Sequence, residues 1–268
     1  GGYIFSNSAS TNANGGGGAI YAQGGSVALN GGYLFDNSAK GGYGGAVYMK
    51  DATLTVSDLA VLAGNRSVKE GGIEGTGALD AGGGAVALFG STGVTISGGY
   101  ITGNESEKTG GGLYCRESAA VKMDSGYVTN KKAQNIVCEG AHTNEDGSGG
   151  IRLEDESNLV LNDGYITGNM AGSGAGICVK GNSSNAMLTM NGGYICANRN
   201  QVNCGIAGHQ QEGAGISIRK DGAIVRITSG YINNNSIAQS EDWGGGGIFC
   251  TEGAYLYIEM ILATNNHA

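Results

Sequence analysis

Aliphatic residues recur at every second position in eight short runs, each opened by small residues. Their pairs are Ile20/Ala22, Val47/Met49, Val86/Leu88, Leu113/Cys115, Ile151/Leu153, Ile177/Val179, Ile216/Ile218 and Ile248/Cys250. The positions between them are mixed: Tyr21, Tyr48, Ala87, Tyr114, Arg152, Cys178, Ser217 and Phe249. Period two with one apolar side predicts a strand with one buried face. A second run follows each first, with inward pairs such as Val27/Leu29, Leu54/Val56, Val94/Ile96, Val121/Met123 and Leu159/Leu161. A third run places an aliphatic after a tyrosine or its replacement, at Ile4, Leu34, Leu62, Ile101, Val128, Ile166, Ile195 and Ile232. The order strand, turn, strand, turn, strand, turn therefore recurs about eight times.

Strands this short do not stand alone, but stacked repeats bury one shared core. The predicted fold is all-β: a single-stranded parallel β-helix, or solenoid, of about eight to nine coils. At ~4.8 Å per coil it would be a rod of roughly 40 Å. The right-handedness of parallel crossovers favours a right-handed coil. Four residues after the tyrosine position stand Asn7, Asn37, Asn65, Asn104, Asn169, Asn198, Asn235 and Asn265, with Lys131 the exception. An Asn amide satisfies backbone groups at a turn and can bond its counterpart in the next coil, which predicts an asparagine ladder.

Successive first-run positions are spaced by 27, 39, 27, 38, 26, 39 and 32 residues, so every second coil is long and the duplicated unit is a double coil near 65 residues. This explains why "SGGYITGN" at 97–104 returns almost unchanged as "NDGYITGN" at 162–169. The extra residues always follow the Asn, at 66–82, 131–149, 199–213 and 236–245. They are expected to leave from one corner of the rod, where loops on a rigid scaffold would carry function.

Gly supplies 54 of 268 residues and Pro none; the glycines punctuate β-branched runs, which means tight turns and excludes collagen. A net charge of −8 without a basic run argues against nucleic acid. No apolar stretch is long enough to insert in a membrane as a helix. The chain opens directly in a repeat word, so residues 1–268 are expected to be one β-helix domain cut from a longer repeat protein, with signal, anchor and caps outside.

Gly17-Gly18-Ala19-Ile20, Gly44-Gly45-Ala46-Val47 and Gly83-Gly84-Ala85-Val86, with Ile101-Thr102-Gly103-Asn104 and its kin, resemble the GGA-[ILV] and FxxN words of the polymorphic outer-membrane-protein repeats of bacterial surface proteins. An aliphatic replaces the Phe, and later coils drift to GGI or AGI. The resemblance implies a secreted right-handed β-helix of the pectate-lyase-like superfamily, an adhesin or stalk on the bacterial cell surface.

The candidate chemistry is sparse. Outward positions of the third runs (Phe5, Phe35, Ala63, Thr102, Thr129, Thr167, Cys196, Asn233) carry no carboxylate, a weak basis for acid–base work. The acidic runs 152–157 and 144–147 offer oxygen ligands for a cation, although such runs are more often solvated faces. Cys115 and Cys250 fall on inward positions. Cys138 and Cys204 occupy matching loops and are the first choice for a disulfide; Cys178 and Cys196, expected to point outward, are further candidates. The rival for the loops is zinc held by Cys138, His142, Cys204 and His209. Binding candidates are Trp243 beside Glu241 and Asp242, together with Tyr114 and Arg152 on the first strands. No cofactor is expected.

Three functions follow. The first is an extracellular, non-catalytic adhesin or stalk segment whose partner is a glycan or protein of a host or neighbouring cell. The second is a polysaccharide lyase or hydrolase on the same scaffold. The third is a filament made by end-to-end stacking of uncapped coils.

Overall fold

The computed structural model describes residues 1–10, 15–68, 81–129, 132–133, 147–182, 184–200, 212–238, 244–251 and 253–268. Every regular element among them is a strand, and every strand pairing is parallel. The strands form three sheets, one of fifteen strands and two of eight. The chain visits them in a fixed cycle. A first-run strand such as Val47–Lys50 joins one eight-stranded sheet, here called the lead sheet. The second and third runs, such as Thr53–Val56 and Val61–Ala63, then enter the fifteen-stranded sheet. A short strand such as Arg66–Val68 follows in the other eight-stranded sheet, and the chain returns to the lead sheet at Val86–Phe89. This cycle of parallel strands is compatible with a parallel β-helix.

Equivalent residues of successive repeats pair directly. Val47, Val86, Leu113 and Ile151 stand in one row, and Leu34, Leu62, Ile101, Val128 and Ile166 in another. These rows are the core: Leu62, Leu88, Ile101, Ile166 and Ile195 are buried, with some forty other apolar side chains lining the same interior. A one-residue slip would turn a whole row outward, so the alternation that predicts the strands also fixes their register.

The expected order strand, turn, strand, turn, strand, turn needs correction in two places. The second and third runs share one sheet, and at Gly93–Thr102 and Ala120–Thr129 they are one continuous strand of ten residues. The third sheet comes instead from two- and three-residue strands directly after the Asn: Ser8–Ser10, Ser38–Lys40, Arg66–Val68, Glu105–Ser106, Lys132–Ala133, Met170–Ala171, Arg199–Asn200 and Ser236–Ile237. The buried member of several of these is small or polar, as at Ala39, Ser67, Ser106, Ala171 and Asn200, so no aliphatic periodicity marks them. Each long insertion begins beyond one of these strands, and residues 69–80, 134–146, 201–211 and 239–243 lie outside the described residues.

Of the asparagines after the third strands, Asn37, Asn65, Asn104, Asn169, Asn198 and Asn235 are buried, and they are bonded in sequence. The Asn37 backbone N–H and Nδ2 both donate to Asn65 Oδ1, at 3.0 and 2.9 Å. Asn65 repeats the pattern on Asn104 at 2.9 and 2.8 Å, and its Nδ2 also donates to the Leu34 carbonyl at 3.0 Å. A second row runs Asn169, Asn198, Asn235. It ends on Asn266, which accepts from Asn235 Nδ2 at 2.9 Å, and not on Asn265. The reason is register: Tyr231 pairs with Leu262 rather than Ile261, which moves the equivalent position one residue along. Asn265 occupies the turn position before it, at φ 53°, as Asn234 does at φ 56°. The left-handed residue of this turn is thus the one preceding the bonding Asn, which explains the Gly in "TGN" at Gly103 and Gly168.

Candidate functional site

The lead sheet was expected to bury one face. Both faces are buried over its middle: Tyr48, Ala87, Tyr114, Arg152, Cys178 and Ser217 are each less than 5% exposed, whereas Tyr21 remains open at 53%. Cys178 therefore does not point to solvent, and Arg152 Nη1 donates to its sulfur at 3.0 Å. Cys178 is a free thiol in the lead sheet and Cys196 a free, half-buried thiol in the fifteen-stranded sheet, its Sγ–H donating to Thr167 Oγ1 at 3.3 Å, so neither forms the disulfide considered for it. Cys115 is buried as expected, and burial pushes its thiol far above the usual range. Cys250 is exposed and not buried as its inward position predicts, because its strand, Ile248–Cys250, is an edge strand of its sheet among the described residues. Cys138, Cys204, His142, His209, Glu241, Asp242 and Trp243 lie outside the described residues.

Of the sequence-predicted contacts, the structure brings Tyr114 and Arg152 together around Glu154, a carboxylate of the acidic run 152–157. Tyr114 and Arg152 are partners in register on adjacent strands. Two residues on, Glu154 accepts from Arg152 Nε and Nη2 at 2.9 and 2.7 Å and from the Tyr114 hydroxyl at 2.7 Å. Burial alone would raise the Glu154 carboxyl; the adjacent Arg152 charge and the two hydrogen-bond donors outweigh it and hold the pKa down to about 2. Tyr114 moves the other way: burial first, then the Glu154 charge, keeps its phenol protonated well above the ordinary tyrosine range. The rest of the acidic run is dispersed. Asp155 accepts from Arg116 Nε at 2.7 Å, and Glu156 from the Ser118 hydroxyl at 3.3 Å.

This cluster floors a cleft of about 210 Å³ lined by Tyr43, Ala81, Lys108, Thr109, Tyr114, Arg116, Glu154, Lys180 and Asn182. Its parts come from three successive layers. Arg116 follows the strand Leu113–Cys115, Glu154 closes Ile151–Glu154, and Lys180 closes Ile177–Lys180 in register with Glu154. Lys108 and Thr109 arrive from the turn after Glu105–Ser106. Thr109 is 5% exposed, and its hydroxyl has no hydrogen-bond partner among the described residues. Sequence reasoning missed Lys108, Thr109, Arg116 and Lys180, since they sit at or beyond strand ends; the signal available for Arg116 and Lys180 was their shared place three residues after Leu113 and Ile177.

The aromatic rows follow the layers. Tyr21 stacks on Tyr48 at 5.1 Å, but Ala87 interrupts that row and Tyr114 stacks on Tyr43 instead, at 5.6 Å. A longer row runs along the fifteen-stranded sheet through Tyr100, Tyr127, Tyr165, Tyr194 and Tyr231, with centroids 4.6–5.0 Å apart and rings within 7° of parallel.

Comparison with protein-family models, with curated proteins and with solved structures returns no match to this chain.

Proposed function

We propose that residues 1–268 are one domain, a right-handed parallel β-helix of eight to nine coils with a double-coil repeat near 65 residues and an asparagine ladder, serving as a non-catalytic segment of a bacterial surface adhesin or stalk. The strand cycle through three parallel sheets supports the architecture. The repeat words that resemble those of polymorphic outer-membrane proteins support the extracellular, cell-surface setting. On this reading the rod holds binding groups at fixed intervals toward a glycan or protein of a host or neighbouring cell.

One observation carries the non-catalytic reading. The cluster with residue types suited to acid–base chemistry is closed on itself: Arg152 and Tyr114 occupy both oxygens of Glu154. A carboxylate held down to about 2 is a poor proton acceptor near neutrality, and a phenol whose pKa is raised is a poor base. The test is a glycan array followed by product analysis of every glycan retained. Binding with intact glycan is the expected result. Release of oligosaccharides from an acidic polysaccharide would overturn it in favour of a lyase or hydrolase. Scattering that grows with concentration, with no glycan retained, would overturn it in favour of a filament.

A further inference from the structure

We propose that the row Tyr100, Tyr127, Tyr165, Tyr194 and Tyr231 is a site of oxidative modification, where hydrogen peroxide acting through a haem peroxidase joins neighbouring phenols into dityrosine bonds between successive repeats. The backbone sets the row: each tyrosine pairs in register with the next on parallel strands. The row ends where Val61 pairs with Tyr100 and Leu262 with Tyr231. Ring centroids stand 4.6–5.0 Å apart, and the rings lie within 7° of parallel. Tyr100 is 42%, Tyr127 37% and Tyr231 40% exposed, and Tyr165 and Tyr194 are partly open. Face-to-face stacking turns edges and hydroxyls to solvent and hides the ring faces, so the row is not a platform on which a sugar ring can lie. Tyr43 and Tyr114 also stack, at 5.6 Å, but both are buried, out of reach of an oxidant.

The reaction balances on the row alone. Each phenol gives up one electron and its hydroxyl proton and becomes a phenoxyl radical; a ring open to water has somewhere to send that proton. The unpaired electron is shared with the ring carbons ortho to oxygen, and two such carbons on neighbouring rings form one C–C bond. The hydrogen on each of them then moves to the phenolic oxygen, which restores both rings. Two electrons and two protons leave in all, and one hydrogen peroxide takes them up as two waters. The stack meets the geometric need. The torsion that turns a tyrosine ring is broad, so rotation of two neighbours brings an ortho edge of each into the gap between them while the strand pairing holds. A partner already alongside on the same chain replaces a diffusional encounter, and coupling becomes unimolecular. A bond between Tyr127 and Tyr165 would close a loop of chain that contains one long insertion, and like a disulfide it would restrict the unfolded state.

The experiment treats the full chain with hydrogen peroxide and a haem peroxidase, isolates the chains that still run as monomers under denaturing electrophoresis, and maps their tryptic peptides by mass. Lys and Arg residues between them place the five tyrosines in five different peptides. Joined peptides that hold neighbours in the row, lighter by two hydrogens than their sum, are expected, at a yield per chain that does not fall on dilution. Tyr165→Phe keeps the ring and the stack but has no phenolic hydrogen to lose. It should abolish the Tyr127–Tyr165 and Tyr165–Tyr194 products and keep Tyr100–Tyr127 and Tyr194–Tyr231. The absence of joined neighbours in monomeric chains, a yield that falls with dilution, or a preference for tyrosines that are not neighbours overturns the proposal. A failed glycan array leaves this result untouched, since the reaction needs only the row and the oxidant.

Discussion

Asn65→Ala removes one rung from the middle of a bonded row and leaves the backbone otherwise able to keep its path. Four hydrogen bonds disappear: two that Asn65 Oδ1 accepts from Asn37, at 3.0 and 2.9 Å, and two that its Nδ2 donates, to Leu34 at 3.0 Å and Asn104 at 2.8 Å. Asn104 Oδ1 keeps the backbone N–H of residue 65, at 2.9 Å. The Asn37 backbone N–H, one Asn37 amide hydrogen and a lone pair of Leu34 lose these partners. Asn37, Leu34 and Asn65 are all less than 5% exposed, so water does not replace the partners without opening the stack. At roughly 1–3 kcal/mol for each buried polar group left unsatisfied, and with some relaxation, the expected loss is about 3–4 kcal/mol. Asn7→Ala is the internal control: Asn7 Nδ2 bonds Asn37 Oδ1 in the same way at 2.9 Å, but the residue is exposed and should cost under about 1 kcal/mol. Urea unfolding followed by circular dichroism gives the difference. Hydrogen exchange at the Asn37 amide localises it, because that proton loses its acceptor. If Asn65→Ala unfolds within about 0.5 kcal/mol of wild type, or no lower than Asn7→Ala, the row does not bear stability and the reasoning fails.

Two further outcomes follow from the same stack. Gly45→Ala would place a Cβ 2.1 Å from the Gly84 carbonyl oxygen and 2.5 Å from the Arg66 nitrogen, so backbone on two sides must move; about 3 kcal/mol or more should be lost, and a soluble variant with an unchanged urea midpoint would refute the close packing. Glu154 predicts a pH dependence with a definite sign: its folded pKa of about 2 lies below the ordinary 4.5, so its stabilisation, of order 3 kcal/mol, is complete above about pH 4.5 and fades as pH falls toward 2. The gap in unfolding midpoint between wild type and Glu154→Gln should therefore narrow between pH 5 and pH 3, and a gap that widens on acidification would contradict the Arg152 pairing.

What was legible in the sequence was what the interior repeats. Ile101 and Ile166 stand at the same place in their repeats and lie buried, with Val128 in the layer between them, because aliphatic alternation and register are a single constraint. The short strands after the Asn were not legible. A two-residue strand such as Glu105–Ser106 buries only Ser106, whose hydroxyl accepts from Ser67 at 3.0 Å, and a serine carries no hydrophobic period. Asn265 was misplaced because Leu262, which takes the tyrosine's place, is preceded by another aliphatic, Ile261; either could head the word, and only the pairing with Tyr231 decides.

The outer face of the lead sheet was misread for a different reason. Tyr48, Tyr114 and Arg152 at alternate positions read as solvent-facing, since an amphipathic strand normally turns such residues to water. Tyr43, Phe89 and Ala87 close over Tyr48 and Tyr114 in a second apolar cluster, outside the main core. Burial then transforms the chemistry of the neighbouring charges. An Arg152 left in water would be one of many exposed cations; enclosed, it must be neutralised, and Glu154 two residues along the strand is held where both guanidinium donors reach it. That neutralisation uses up the carboxylate that lines the cleft. The buried Arg152–Glu154–Tyr114 cluster is thus a consequence of covering the sheet's second face, and nothing in the spacing of these three residues along the chain would have announced it.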